Sequence, residues 1–191
     1  MSSRKADLTE RLKAVFILRG YDGATLVHLA EGAGLSKASL YHHYPGGKPE
    51  MAGALVRHAI ADLHSKAFKP IRDLAPHEAL IAFTAGFADY VRNGNSDCIL
   101  SIFGRHLTAH DEIGPLQAEI AAQFIDWQND LAQIFTAMGF KPKRADRAAS
   151  QLLGQLYGAL LQAKMHNNPK AFGRAIKHIQ KNLASRRPKR L

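Results

Sequence analysis

Apolar residues recur along this chain at intervals of three and four from near its start to near its end, and no segment alternates them strictly with polar ones. That is the period of helices with one buried face, so the pattern predicts an all-α protein of about nine helices. Leu8, Leu12, Val15 and Phe16 mark the first, from about Lys5 to Arg19, ended by the turn Gly20-Tyr-Asp-Gly23. Two short helices begin at Leu26 and Lys37, and Pro45-Gly46-Gly47 stops the second. A fourth runs from Lys48 to about Phe68, with Pro49 in its first turn, where a missing amide costs nothing. Leu80, Phe83, Phe87 and Tyr90 define a fifth, to about Arg92, which Asn93-Gly94-Asn95-Ser96 breaks. Ile99, Ile102, Phe103 and His106 suggest a short sixth, and the stripe from Leu116 to Met138 a long seventh starting at Pro115. An eighth spans Pro142 to Met165 and a ninth Pro169 to about Leu183.

The most informative stretch is Thr25 to Pro45. Thr25 and Ser36 are side chains that accept hydrogen bonds from the open amides of a helix starting one residue later. Gly34 lies between the two helices, where the chain must reverse and a left-handed backbone is cheapest for glycine. The methyl group of Ala30 lets the helices cross at close range, and Leu26, Leu29, Leu35 and Leu40 supply their shared core. Lys37, Ser39 and His42 then point away from that core. A helix whose free face carries a cation and short donors suits a DNA major groove, so this spacing reads as a helix-turn-helix. An ordinary helical hairpin is the competing reading. The joint spacing of Thr25, Ala30, Gly34, Ser36 and Leu40, followed by Tyr41 and Tyr44, disfavours it.

These residues also carry a resemblance. Thr25 through Met51 resembles the DNA-binding domain of TetR-family transcriptional regulators. Leu40-Tyr-His-His-Tyr-Pro-Gly-Gly-Lys-Pro-Glu-Met51 is similar to the LmrA/YxaF-like branch, in which a Pro-Gly-Gly-Lys turn follows the aromatic. The close match covers about Leu8 to Leu55, and beyond it only the helical pattern and length agree, so no particular ligand is carried over. The organisation that follows is a three-helix DNA-binding domain at 1–47, a larger helical effector-binding and dimerisation domain at 48–184, and a basic tail at 185–191.

Composition narrows the classes. Hydrophobic residues make up 46% and charged residues 22% of the 191, as in a folded soluble protein. No apolar run approaches the ~18 residues of a membrane span, and Met1 to Asp7 lacks the apolar stretch of a secretory signal, so the expected compartment is the cytoplasm and no membrane partner is expected. Cys98 is the single cysteine, which fits a reducing compartment and is read as a small buried residue. The formal net charge of +10 favours a polyanionic partner, but its distribution does not point at the reader. Residues 1–50 carry seven Lys and Arg against five Asp and Glu, whereas residues 141–191 carry thirteen against Asp146 alone. The motif, not the charge, is what argues for DNA.

For contacts with double-stranded DNA the candidates are Lys37, Ser39 and His42 at base edges or nearby phosphates, and Thr25, Ser36, Tyr41 and Lys48 at the backbone, with His43 a weaker one. Lys48 precedes a helix start, where open amides and an ammonium make a phosphate site. Such a reader needs two copies to reach two half-sites, which implies a homodimer and a palindromic operator. The resemblance implies that the last two helices pair with their twofold mates. The candidate interface is Leu153, Gly154, Gly158, Phe172, Ile176 and Ile179, although Gly154 and Gly158 are explained equally well as making room for bulky neighbours of the same chain. Lys170, Arg174, Lys177 and Lys181 form a basic stripe on the ninth helix, read as a solvated face.

The resemblance further implies a small-molecule inducer that shifts the fourth helix and separates the two readers. Phe83, Phe87, Phe103, Phe124, Trp127 and Tyr157 are candidates to line its cavity, with His106 as polar contact, against the simpler reading of each aromatic as core. His106, His110 and Asp111 fall short of a closed zinc site and are read as surface groups; no metal or cofactor is expected. No enzyme is expected either: Gly32-Ala-Gly34 follows a helix rather than a strand, and no nucleophile with its base or phosphate loop stands out. The functional expectation is a ligand-released repressor. The alternative is a helical adaptor or sensor of the same fold without specific operator binding.

Overall fold

A computed structural model describes residues 3–104 and 114–185, with the backbone alone at 3–6. Its helices are α1 (Ser3–Gly23), α2 (Leu26–Ala33), α3 (Lys37–His43), α4 (Gly47–Leu63), α5 (Pro76–Tyr90), α6 (Ile99–Gly104), α7 (Gly114–Ala137), α8 (Pro142–Met165) and α9 (Pro169–Ser185). No strand forms among the described residues. Past Leu63, α4 continues into a π turn, His64–Phe68, and a 3-10 turn, Lys69–Ile71.

The chain divides into two compact units. The first holds residues 1–60 and 98–121, the second 61–97 and 122–191. The first unit is thus larger than the 1–47 domain the sequence suggests, because α6 packs against α1: Phe103 meets Phe16 edge-on at 5.2 Å and Tyr21 at 6.1 Å between centroids. Leu8, Leu12 and Phe16 form the buried stripe of α1, as their four-residue spacing predicts. Gly20 breaks that helix with a φ of 67°, and the chain regains helical geometry through Gly23, so Tyr21 turns back to stack on Phe16. On α2, a side chain at Gly32 would run into Val15 of α1. The close approach of these two helices therefore belongs to Gly32.

In the second unit, α8 buries Ala145, Ala149, Leu152, Leu156, Leu160 and Ala163 along one face, and α9 buries Phe172, Ile176, Ile179 and Leu183. These two helices pack on each other and α9 packs on α5. Gln180 donates to the hydroxyl of Thr84 at 2.9 Å, and Thr84 in turn donates to the Ile81 carbonyl, so the one fully buried polar side chain of α5 is satisfied. Gly86 of α5 lies directly against the backbone of Lys66 and Ala67 in the π turn, where an added Cβ would come within 2.6 Å of Ala67 Cα. Lys66 bridges Asp62 at 3.2 Å and Asp89 at 3.7 Å, tying the π turn to its own helix and to α5.

Candidate nucleic-acid interface

The two helices of the reader start and stop where their caps dictate. Thr25 adopts an extended backbone and its hydroxyl accepts from the amide of His28 at 3.3 Å. Ser36 does the same for Ser39 at 3.1 Å. At the end of α2, Gly34 takes a φ of 67°; its amide donates to Glu31 O at 3.0 Å and that of Leu35 to Ala30 O at 2.9 Å. This paired closure is the Schellman geometry, available to a residue without a Cβ at low cost. Arg11, paired with Asp7 at 2.9 Å, reaches the Ala33 carbonyl from α1 and helps satisfy the same helix end. Leu29, Ala30 and Leu40 are buried beneath the two helices, while Leu26 and Leu35 stay half-buried at the margin.

That packing leaves Lys37, Tyr41, His42 and His43 exposed on α3. Lys37 has no carboxylate within ion-pair distance among the described residues, and Tyr41 is 44% exposed. Ser39 is half-buried, and its hydroxyl is 2.9 Å from that of Ser36, so the two share a hydrogen bond while each keeps capacity for another. Thr25 and Ser36 are both exposed.

Lys48 and the start of α4 differ from the expectation of open amides beside a free ammonium. The amide of Gly46 is taken by the Glu50 carboxylate at 2.6 Å. Lys48 Nζ donates to the Tyr21 carbonyl at 3.2 Å and lies 4.3 Å from the centroid of the Tyr21 ring. The lysine is therefore positioned by α1 and remains half-exposed, beside a depression lined by Leu26, Tyr41, Pro45, Gly47 and Pro49. Tyr44 is buried, not at the rim.

The other proposed sites are sorted by the fold. Of the effector candidates, Phe87 meets Tyr157 at 5.1 Å, Tyr157 meets Phe124 at 5.2 Å, and Phe124 meets Trp127 at 5.2 Å. Phe68 then joins Trp127, at 5.7 Å, to Phe83, at 4.9 Å. Phe103 does not belong to this group, since it fills the core of the first unit against Phe16 and Tyr21. His106 lies outside the described residues, as do His110 and Asp111. Phe68, the ring that links the two ends of the cluster, was hidden in sequence at the end of a helix before Pro70.

Of the interface candidates, Phe172 is fully buried against Phe87 and Gly94 of its own chain, and Leu153, Ile176 and Ile179 are at least nine-tenths buried. They form the internal seam of α8 and α9 and are not free to meet a partner. Gly154 and Gly158 behave otherwise: a Cβ at either would meet nothing within 4 Å, so neither makes room for a neighbour in its own chain. They line an open groove with Gln151, Gln155, Gln162 and His178, beside exposed Leu161 and Met165. Among the described residues, no group of three or more His, Cys, Asp or Glu side chains gathers as metal ligands, and no helix is long and apolar enough to cross a membrane.

Residues 8–55 match the family model described as bacterial regulatory proteins, tetR family, and residues 76–178 match the LmrA/YxaF-like transcriptional regulator C-terminal domain. The chain belongs to the TetR family of transcriptional regulators. Its branch is the LmrA/YxaF-like one, and it is a DNA-binding helix-turn-helix protein. The reader is similar to that of the HTH-type transcriptional repressor KstR2 of Mycobacterium tuberculosis, at 40% identity over 57 residues, which is 30% of this chain and 28% of that one. Over nearly full length the chain is similar in fold to a TetR transcriptional regulator from Legionella pneumophila, with a TM-score of 0.78, 16% identity and coverage of 95% and 98% of the two chains. A third relative in fold is AibR, solved with isovaleryl coenzyme A and operator DNA, with a TM-score of 0.66, 23% identity and coverage of 81% and 85%.

Proposed function

We propose that this regulator is a homodimeric repressor, not an enzyme, that occupies a palindromic operator through α3 and leaves it when a small molecule binds the second unit. The observation that carries the reading is the outward face of α3, where Lys37, Tyr41 and His42 stand exposed on a helix whose start is capped and whose inner side is buried. Lys37 and His42 serve base edges or adjacent phosphates. Thr25, Ser36, Tyr41 and Lys48 hold the sugar-phosphate backbone and set register. KstR2 is named a repressor, and AibR is solved with both an acyl coenzyme A and its operator, which supports the same two-ligand logic here.

Two copies are joined through the open strip of Gly154 and Gly158, where backbones can approach closely because no side chain intervenes. The small molecule must bind the non-operator conformation more tightly, since equal affinity for both would shift nothing. Occlusion of a promoter by the bound dimer then suffices for repression.

Selection of fragments from the source genome on the purified protein tests this, beginning with the intergenic region beside its own gene. The expected result is a small set of fragments sharing a twofold-symmetric site, bound in gel shifts at salt concentrations that abolish binding to unrelated DNA. Sequence-blind, steeply salt-sensitive binding alone would instead make the protein an adaptor or sensor of the same fold.

A further inference from the structure

Trp127 is the only tryptophan of the chain and 1% exposed, yet its indole Nε1 has no hydrogen-bond partner among the described residues. A buried N–H without an acceptor costs roughly 1–3 kcal/mol, so a protein that keeps one keeps a place for an acceptor to arrive. The rings around it offer none. Phe68 lies nearly parallel to the indole, at 14° and 5.7 Å, so the in-plane N–H does not address its face. Phe124 is tilted at 60° and 5.2 Å, where an N–H to ring contact would be a second-order interaction that a carbonyl oxygen displaces.

Room lies on the other side of one ring. Phe68 is also a wall of a groove of about 380 Å³ between the π turn, the start of α5 and the last turns of α7, within the size of small-molecule sites. Its apolar lining includes Ile71, Leu74, Ala79 and Ile134, and its mouth carries one cation, Arg72, and one anion, Asp130, which favours neither charge.

We propose that Trp127 Nε1 is the hydrogen-bond donor for an uncharged, planar, mostly apolar effector that carries a carbonyl acceptor and lies against Phe68 and Phe124. This rests on the reading of the second unit as an effector-binding unit, and goes further in assigning the chemistry. The absence of any charged side chain among the rings sets the class: an anionic ligand would lose its hydration there and gain no counter-ion.

The probes are 9-fluorenone, fluorene and 9-fluorenone-2-carboxylate, which share a frame and differ in acceptor and charge. Because there is one tryptophan, the labelled protein shows one indole N–H resonance and one tryptophan emission. The expected result is that fluorenone shifts that resonance downfield and quenches the emission, binding about tenfold more tightly than fluorene, the worth of one buried hydrogen bond. The carboxylate should bind more weakly than fluorenone. In Trp127→Phe, compared by equilibrium dialysis, the two uncharged probes should bind equally.

An unmoved indole resonance, equal affinity of wild type for ketone and hydrocarbon, tighter binding of the carboxylate, or retained discrimination in Trp127→Phe would each overturn the assignment. The wild-type comparison stands even if the variant does not fold. Genome selection is scored separately, so a regulator with an operator but no such site is told apart from a protein that is no operator-binding regulator.

Discussion

Gly32 and Lys48 are single residues whose surroundings decide their effect. Glycine inside a helix costs about 1 kcal/mol relative to alanine, so Gly32→Ala should stabilise on propensity alone. Here the new methyl would strike the stiff, β-branched Val15, and overpacking of this kind costs about 1–3 kcal/mol. The expected outcome in urea unfolding is net destabilisation by Gly32→Ala that the double variant with Val15→Ala partly relieves; simple additivity would show that the two residues do not meet. Lys48→Ala should weaken binding to all DNA sequences alike and lower the salt slope of operator binding by about one. Loss of the Tyr21 contact adds about 0.5–1 kcal/mol of destabilisation, read separately by denaturation. A change of sequence preference with an intact salt slope would rule out the phosphate role.

At the scale of elements, the π turn after α4 and its contact with α5 are the least ordinary features. A helix gains an extra residue per turn there, which places Phe68 and Ala67 inside the second unit and brings the turn's backbone against Gly86. Because backbone meets backbone, there is no flexible side chain to move aside. Gly86→Ala should therefore destabilise by about 3 kcal/mol, against the ~1 kcal/mol gain its helix propensity would give. Denaturant titration followed by far-UV circular dichroism checks this, and a stabilised variant would mean that the π turn does not press on α5. The caps of α2 and α3 and the ends of α8 were legible in the sequence, since each depends on groups within a few residues. The π turn was not: nothing local distinguishes His64 to Phe68 from a continuing α-helix, and the inserted residue is held by α5 and by the Lys66 ion pairs.

For the whole molecule, the open strip on α8 carries the expectation of a dimer. Gly154→Arg places a long cation where a Cβ meets nothing in its own chain, so the fold should survive and a twofold partner should be excluded. Light scattering should give the mass of one chain for the variant and of two for the wild type, with helical content preserved. A variant that stays dimeric would move the interface elsewhere. The positive charge of the C-terminal quarter adds no operator reader of its own: Lys170, Arg174, Lys177 and Lys181 are exposed, with no ion pair among the described residues, as on a solvated helix face.

Taken alone, the order of residues determined the helical class, the places where α2, α3 and α8 begin, and the outward face of α3. Capping, turn formation and the 3.6-residue period are interactions between near neighbours in the chain. Tertiary structure alone decided which aromatic rings share a core, sending Phe103 to Phe16 and Tyr21 but Phe68 to Trp127. It also decided that Gly32 and Gly86 are pressed by neighbours while Gly154 and Gly158 face open space. Equal helical spacing leaves such residues indistinguishable until segments far apart in sequence are packed against one another.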